Sequence, residues 1–93
     1  MSYTLVYTEQ YERRSKRFLK RHPELLQPYQ KTLLMLETNP WHPSLRLHPL
    51  SGKNQGLHSL SINLSYRITL ELLIQGEEII PVNVGGHDAV SEA

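Results

Sequence analysis

The residue pattern predicts a two-layer α+β domain: an N-terminal strand, a two-helix hairpin, then a three- or four-stranded, mostly antiparallel sheet. Three observations carry this. Apolar residues between 11 and 36 recur at helical spacing, whereas those between 57 and 84 alternate or form short β-branched runs. Glycine, proline and asparagine punctuate the second half at the intervals that turns require.

Residues 3–7 are aromatic and β-branched and read as the first strand. Thr8 is placed to cap a helix, with Glu9 at its positive dipole end. Tyr11, Ser15 and Phe18 form its inward stripe through Arg21. His22-Pro23 ends that helix and opens a second, since proline is accepted at a first helical position. Its stripe is Leu25, Leu26, Tyr29, Leu33 and Leu36 or Met35, and Thr38-Asn39-Pro40 stops it. Trp41 belongs to a proline-stiffened connection and is expected to pack.

An extended stretch follows, in which Arg46, His48 and Leu50 share one side and Leu45, Leu47 and Pro49 the other. Residues 51–56 form a turn with two glycines available for positive φ. Leu57, Leu60, Ile62 and Leu64 suggest a strand with a bulge where alternation slips. Residues 66–74 make the next strand, Gln75-Gly76-Glu77 a turn, and residues 79–84 the last strand. Pro81 points to an edge or to the start of pairing. No repeat interrupts this order, and residues 1–93 read as one domain with one modest core.

Composition narrows the function. The chain has no cysteine, which removes disulfides, thiolate chemistry and cysteine-ligated zinc. No apolar run reaches the ~20 residues of a membrane span, and Met1-Ser2-Tyr3-Thr4 does not resemble a signal peptide. A cytoplasmic protein without membrane contact is expected. The formal charge of +1 hides an asymmetry: residues 1–67 carry ten Lys or Arg against four Glu, whereas residues 68–93 carry five acids and no Lys or Arg. Arg13, Arg14, Lys16, Arg17, Lys20 and Arg21 make the first helix a broad cationic surface suited to RNA or an acidic partner.

Arg67 stands in an otherwise apolar strand, where a charge must be paired, for example with Glu71, or turned toward a ligand. Its guanidinium can donate two parallel hydrogen bonds to a phosphate. His87 follows two glycines, Gly85-Gly86, and can move protons near neutral pH. The five histidines, at 22, 42, 48, 58 and 87, lack compact metal-ligand spacing, so no metal or other cofactor is expected.

Several segments in order carry a resemblance. They are Lys16-Arg17-Phe18-Leu19-Lys20-Arg21-His22-Pro23, Leu47-His48-Pro49-Leu50-Ser51-Gly52, Tyr66-Arg67-Ile68 and Gly86-His87-Asp88-Ala89-Val90. Across nearly its whole length the chain resembles toxins of the RelE/ParE superfamily from bacterial type II toxin–antitoxin modules, particularly the RelE/StbE-type mRNA interferases near YafQ. The resemblance implies a metal-independent endoribonuclease that cuts mRNA at the ribosome by 2′-hydroxyl attack on the adjacent phosphate. It also implies a cognate antitoxin encoded nearby. It assigns His87, Arg67, His48 and Asp88 to catalysis. RNA contact falls to Arg46, Lys53, Arg13, Arg14, Arg17, Lys20 and Arg21. Some superfamily members inhibit DNA gyrase instead; the alternative reading is such a gyrase inhibitor, or a toxin homologue with weakened catalysis that acts by binding. One departure stands out: Ser91 occupies the place of an aromatic residue common after the His-Asp pair.

Overall fold

The computed structural model describes residues 3–86. Thr8 caps helix α1 (Glu9–Arg21), its Oγ1 accepting from the Tyr11 N–H at 3.1 Å. Glu9 and Glu12 lie at the positive end of the helix dipole, and Lys20 and Arg21 at the negative end. Pro23 opens a single 3-10 turn, Pro23–Leu25, and helix α2 (Leu26–Thr38) follows directly. The inward stripe of this segment is Leu25, Tyr29, Thr32 and Leu36. Leu26, expected in it, is 44% exposed because helical phase turns it outward. Thr32 is tolerated inside because its hydroxyl donates to the Pro28 carbonyl at 2.7 Å.

Strands β1 (Thr4–Leu5), β2 (His48–Pro49), β3 (His58–Ser61), β4 (Tyr66–Leu73) and β5 (Glu78–Gly86) form one sheet in the order β1-β5-β4-β3-β2. All pairings are antiparallel except β1 with β5. The expected order of elements is therefore present, with four strands after the helices. Strand β1 is shorter than residues 3–7 because its pairing ends soon after Leu5, with Val6 N–H donating to the Ile79 carbonyl.

Pro81 is buried in β5 past the end of the β1 pairing, so only β4 pairs with this part of the strand and the expected edge is met locally. Two local features accommodate it. The register of β1 stops at Ile79, and the β4–β5 register shifts between Thr69 and Leu70, so Leu70 faces Pro81 while Thr69 faces Asn83. Val82 is the extra residue of this bulge, and the missing proline N–H falls beside an irregularity in the ladder. The slip expected between Leu57 and Leu60 is absent from the β3–β4 pairing, which runs evenly from His58 to Ser61. Leu64, expected in that strand, is 84% exposed beyond its end.

Tyr11, Phe18, Leu25, Tyr29 and Leu36 pack with Leu60, Ile68, Leu70, Ile79 and Val84 as the core. Full burial of each such aliphatic side chain favours folding by roughly 1.5–3 kcal/mol. Both helices thus cover one face of the sheet. Trp41, expected to pack, is 54% exposed. The stretch from 45 to 50 departs most from expectation. Pro43–Leu45 is a 3-10 turn, Arg46 adopts the left-handed region (φ 53°, ψ 43°), and only His48–Pro49 pairs as strand. The prolines favour the tight turn, and Arg46 closes it by donating its N–H to the Pro43 carbonyl. Strict alternation of Arg46 and His48 therefore fails. Gly52 (φ 70°) and Gly56 (φ 97°) use the positive φ that the next turn requires.

Candidate active site

Directly opposed residues of neighbouring antiparallel strands share a face. Leu60, Ile68 and Val84 form one such row, against the helices. Ser59, Thr69 and Asn83 form a row on the opposite face, and Ser61, Arg67 and Gly85 form the row beside it. His48 pairs with Ser59 and extends the first row to β2. The face turned away from the helices thus carries hydroxyls, an amide, an imidazole and a guanidinium.

Arg67 is half-buried on this face. Its Nη1 donates to Ser61 Oγ at 3.3 Å. The ion pair with Glu71 is not formed: the single ion pair among the described residues joins His22 and Glu24. The Nε of Arg67 is buried without a hydrogen-bond partner among the described residues, as are Ser59 Oγ and Thr69 Oγ1. Ser59 and Thr69 are each only 2% exposed. A buried donor left in this condition costs about 1–3 kcal/mol, which a polar ligand can return. Ser59 and Thr69 lie inside this face, and the half-buried Arg67 guanidinium and Ser61 hydroxyl are what it offers to an oxygen-rich ligand.

His48 is exposed, and its Nδ1 lies 2.8 Å from the Arg46 carbonyl. A carbonyl only accepts, so Nδ1 carries a proton and Nε2 is the nitrogen left facing outward. The left-handed turn at Arg46 sets up this contact. The carbonyl orients the ring without withdrawing it from solvent. From strand spacing and register, the Cα atoms of His48 and Arg67 are about 12 Å apart. The two side chains can address one ligand from opposite sides without touching. The other described histidines differ. His42 holds its own turn through Ser44, and His58 lies on the helix-facing side.

Arg46 and Lys53 are exposed on the segments flanking β2. On α1, Arg14 donates from Nη1 to the Val82 carbonyl at 2.9 Å, so it satisfies the bulge in β5. Arg13, Arg17, Lys20 and Arg21 are exposed and have no acidic partner among the described residues. Arg14, Arg17 and Arg21 border a cleft of about 300 Å³, with Phe18, His22, Tyr66 and the end of β5 completing its wall.

The structure brings Arg67 and His48 onto one face and leaves the α1 cations at the side of the sheet. His87 and Asp88 lie outside the described residues. The sequence reading missed Ser59, Ser61, Thr69 and Asn83. Their signal was present: Ser59 and Ser61 alternate with Leu60 and Ile62, and Thr69 stands between Ile68 and Leu70. His22, read as a helix breaker, also lines the cleft.

No protein-family model matches the sequence, and no curated protein matches it significantly. Solved structures do match. YafQ from E. coli strain BL21(DE3) is 22% identical with a TM-score of 0.69, over 95% of this chain and 97% of that one. A chain of the E. coli DinJ–YafQ toxin–antitoxin complex is 25% identical with a TM-score of 0.67, over 97% and 98%. The YoeB/ParE toxin from Agrobacterium tumefaciens is 18% identical with a TM-score of 0.70, over 90% and 98%. The protein therefore has a toxin fold of the RelE/ParE superfamily.

Proposed function

We propose that residues 1–93 form the toxin of a type II toxin–antitoxin module, an endoribonuclease that cleaves mRNA at the ribosome. The observation that carries this reading is the half-buried Arg67 on the sheet face away from the helices, its guanidinium without an acidic partner among the described residues. Such donors suit a phosphodiester, whose oxygens gain charge in the transition state.

In the proposed reaction the ribose 2′-oxygen forms a bond to the adjacent phosphorus and the 5′-oxygen of the next nucleotide leaves. His48 Nε2 takes the 2′-hydroxyl proton, and Arg67 holds the phosphoryl oxygens. His87 returns a proton to the leaving oxygen, with Asp88 orienting this pair. The products are a 2′,3′-cyclic phosphate and a 5′-hydroxyl, and no metal-activated water takes part. Arg46, Lys53 and the α1 arginines and lysines contact the RNA backbone. A cognate antitoxin holds the toxin inactive, as the solved DinJ–YafQ complex suggests by its likeness. The site of action is the cytoplasm; no described helix is long and apolar enough to cross a membrane.

The test is to purify the protein from co-expression with the adjacent open reading frame, free it from its partner and add it to a translation reaction. Cleaved mRNA ending in cyclic phosphate is expected, with protection on adding the partner back. Intact mRNA would reject the assignment, and inhibited gyrase supercoiling beside intact mRNA would replace it with a gyrase poison. Ends bearing 3′-hydroxyl and 5′-phosphate would reject the chemistry.

A further inference from the structure

We infer that the cleft between α1 and the end of β5 is a nucleotide subsite for single-stranded RNA, in which Arg17 and Arg21 hold a phosphate and His22 with Tyr66 stack a base. This rests on the ribonuclease reading and adds a second contact point away from the reacting phosphate.

Four observations meet here. The first is charge. The cleft is lined by Arg14, Arg17 and Arg21, and none of the described residues lining it is acidic. Arg14 already satisfies the Val82 carbonyl, whereas Arg17 and Arg21 have no acidic partner among the described residues. These two project from one side of α1, four residues apart, so their guanidinium groups can converge on one anion.

The second observation is the aromatic wall. Phe18, His22 and Tyr66 form a closed cluster: the ring centroids are 5.0 Å apart for Phe18–His22, 5.3 Å for Phe18–Tyr66 and 4.8 Å for His22–Tyr66. Phe18 is buried behind, while His22 and Tyr66 are half-buried and reach the cleft. A Tyr66 hydroxyl–His22 Nδ1 contact at 3.4 Å and the His22–Glu24 pair at 3.5 Å restrain the imidazole. Rings held in place beside unpaired arginines form the combination that binds unstacked bases and their phosphates.

Size is the third. About 300 Å³ sits at the small end of ligand clefts and is too narrow for a helix of a partner protein, which is some 10–12 Å across. Position is the fourth. Tyr66 and Arg67 are consecutive in β4, so they face opposite sides of the sheet at the same rim, where Tyr66 pairs with Gly86 and Arg67 with Gly85. A strand whose phosphate rests on Arg67 can turn around this rim and place a neighbouring nucleotide in the cleft.

The experiment uses a single-stranded hexaribonucleotide with 2′-O-methyl sugars throughout, which cannot undergo 2′-hydroxyl attack. Binding is read by fluorescence anisotropy across a salt series, on folded variants of the partner-free protein. His22→Ala should weaken binding roughly 5- to 150-fold, the range for loss of one base–aromatic stack. His22→Phe, which keeps a ring, should retain affinity to within about threefold. Arg17→Gln with Arg21→Gln should flatten the salt dependence by roughly one to two released counterions, while Lys31→Gln on α2 leaves both readouts unchanged. Parent-like affinity and salt slope in His22→Ala and in the double arginine variant would overturn the subsite. So would variants that keep RNA binding but lose the antitoxin, since the cleft would then belong to the protein partner. Because the probe is not cleavable, neither result depends on whether the protein is a nuclease.

Discussion

Replacing Arg67 with methionine should move activity and stability in different directions. The side chain keeps its apolar stem, ending about where Nε stood, but loses the guanidinium. On the activity side, removing a donor aimed at developing phosphoryl charge costs on the order of 10²–10³ in rate, or about 2.7–4 kcal/mol. On the stability side, the parent loses one 3.3 Å hydrogen bond to Ser61, worth about 0.5–1.5 kcal/mol. Against that, a buried Nε without a partner disappears, recovering about 1–3 kcal/mol. Ser61 is only half-buried and can bond to water instead. The net change is therefore between roughly zero and 2 kcal/mol in favour of the folded state. For a domain of this size that leaves Tm unchanged or raises it by up to about 16 °C. Single-turnover cleavage at saturating ribosome concentration measures the first quantity, and thermal unfolding of the partner-free protein measures the second. A Tm lowered by more than about 5 °C would mean that Arg67 is held for structure, and the reasoning would fail. Parent-rate cleavage would refute the catalytic role independently.

Two further perturbations address other parts of the molecule. His48→Ala removes the imidazole positioned by the Arg46 carbonyl, and cleavage should slow by about 10²–10⁴-fold with little change in Tm, since the ring is exposed. An unchanged rate would return His48 to the surface. In the core, the Tyr11 and Tyr29 hydroxyls meet at 2.6 Å, and burial, ahead of the neighbouring Tyr29, pushes the Tyr11 pKa far above its ordinary 10.0. Below pH 10 both folded and unfolded Tyr11 keep the proton. Above it only the unfolded chain releases the proton, so stability should fall by about 1.4 kcal/mol per pH unit from this group. Denaturant melts between pH 9 and 11.5 should show that decline, reduced in Tyr11→Phe. An equal slope in both proteins would contradict it. At pH 7 the same variant should cost about 0.5–1.5 kcal/mol, since the Tyr29 hydroxyl loses its bond to Tyr11 but keeps Ser15 as a partner.

The sequence by itself determined what depends on neighbours in the chain. Thr8 had to cap α1 because a hydroxyl precedes a helical stripe, and Gly52 and Gly56 had to carry the turn because few other residues accept positive φ. Tyr11, Phe18, Tyr29, Leu36, Ile68 and Ile79 were readable as core from period alone. Arg67 was legible as an anomaly, a charge in an apolar strand. Tertiary structure decided what depends on residues far apart. Only the register shows that Pro81 sits past the end of β1 and beside a bulge whose carbonyl Arg14 satisfies across 68 positions. Only register places Ser59, Thr69, Asn83 and His48 on the face that carries Arg67. Only the approach of α1 to β4 joins His22 and Tyr66 into one wall. Local periodicity records which side of its own element a residue occupies, but long-range pairing decides which sides are brought together. A binding site is made of such pairings, so its members were visible in the chain before their association was.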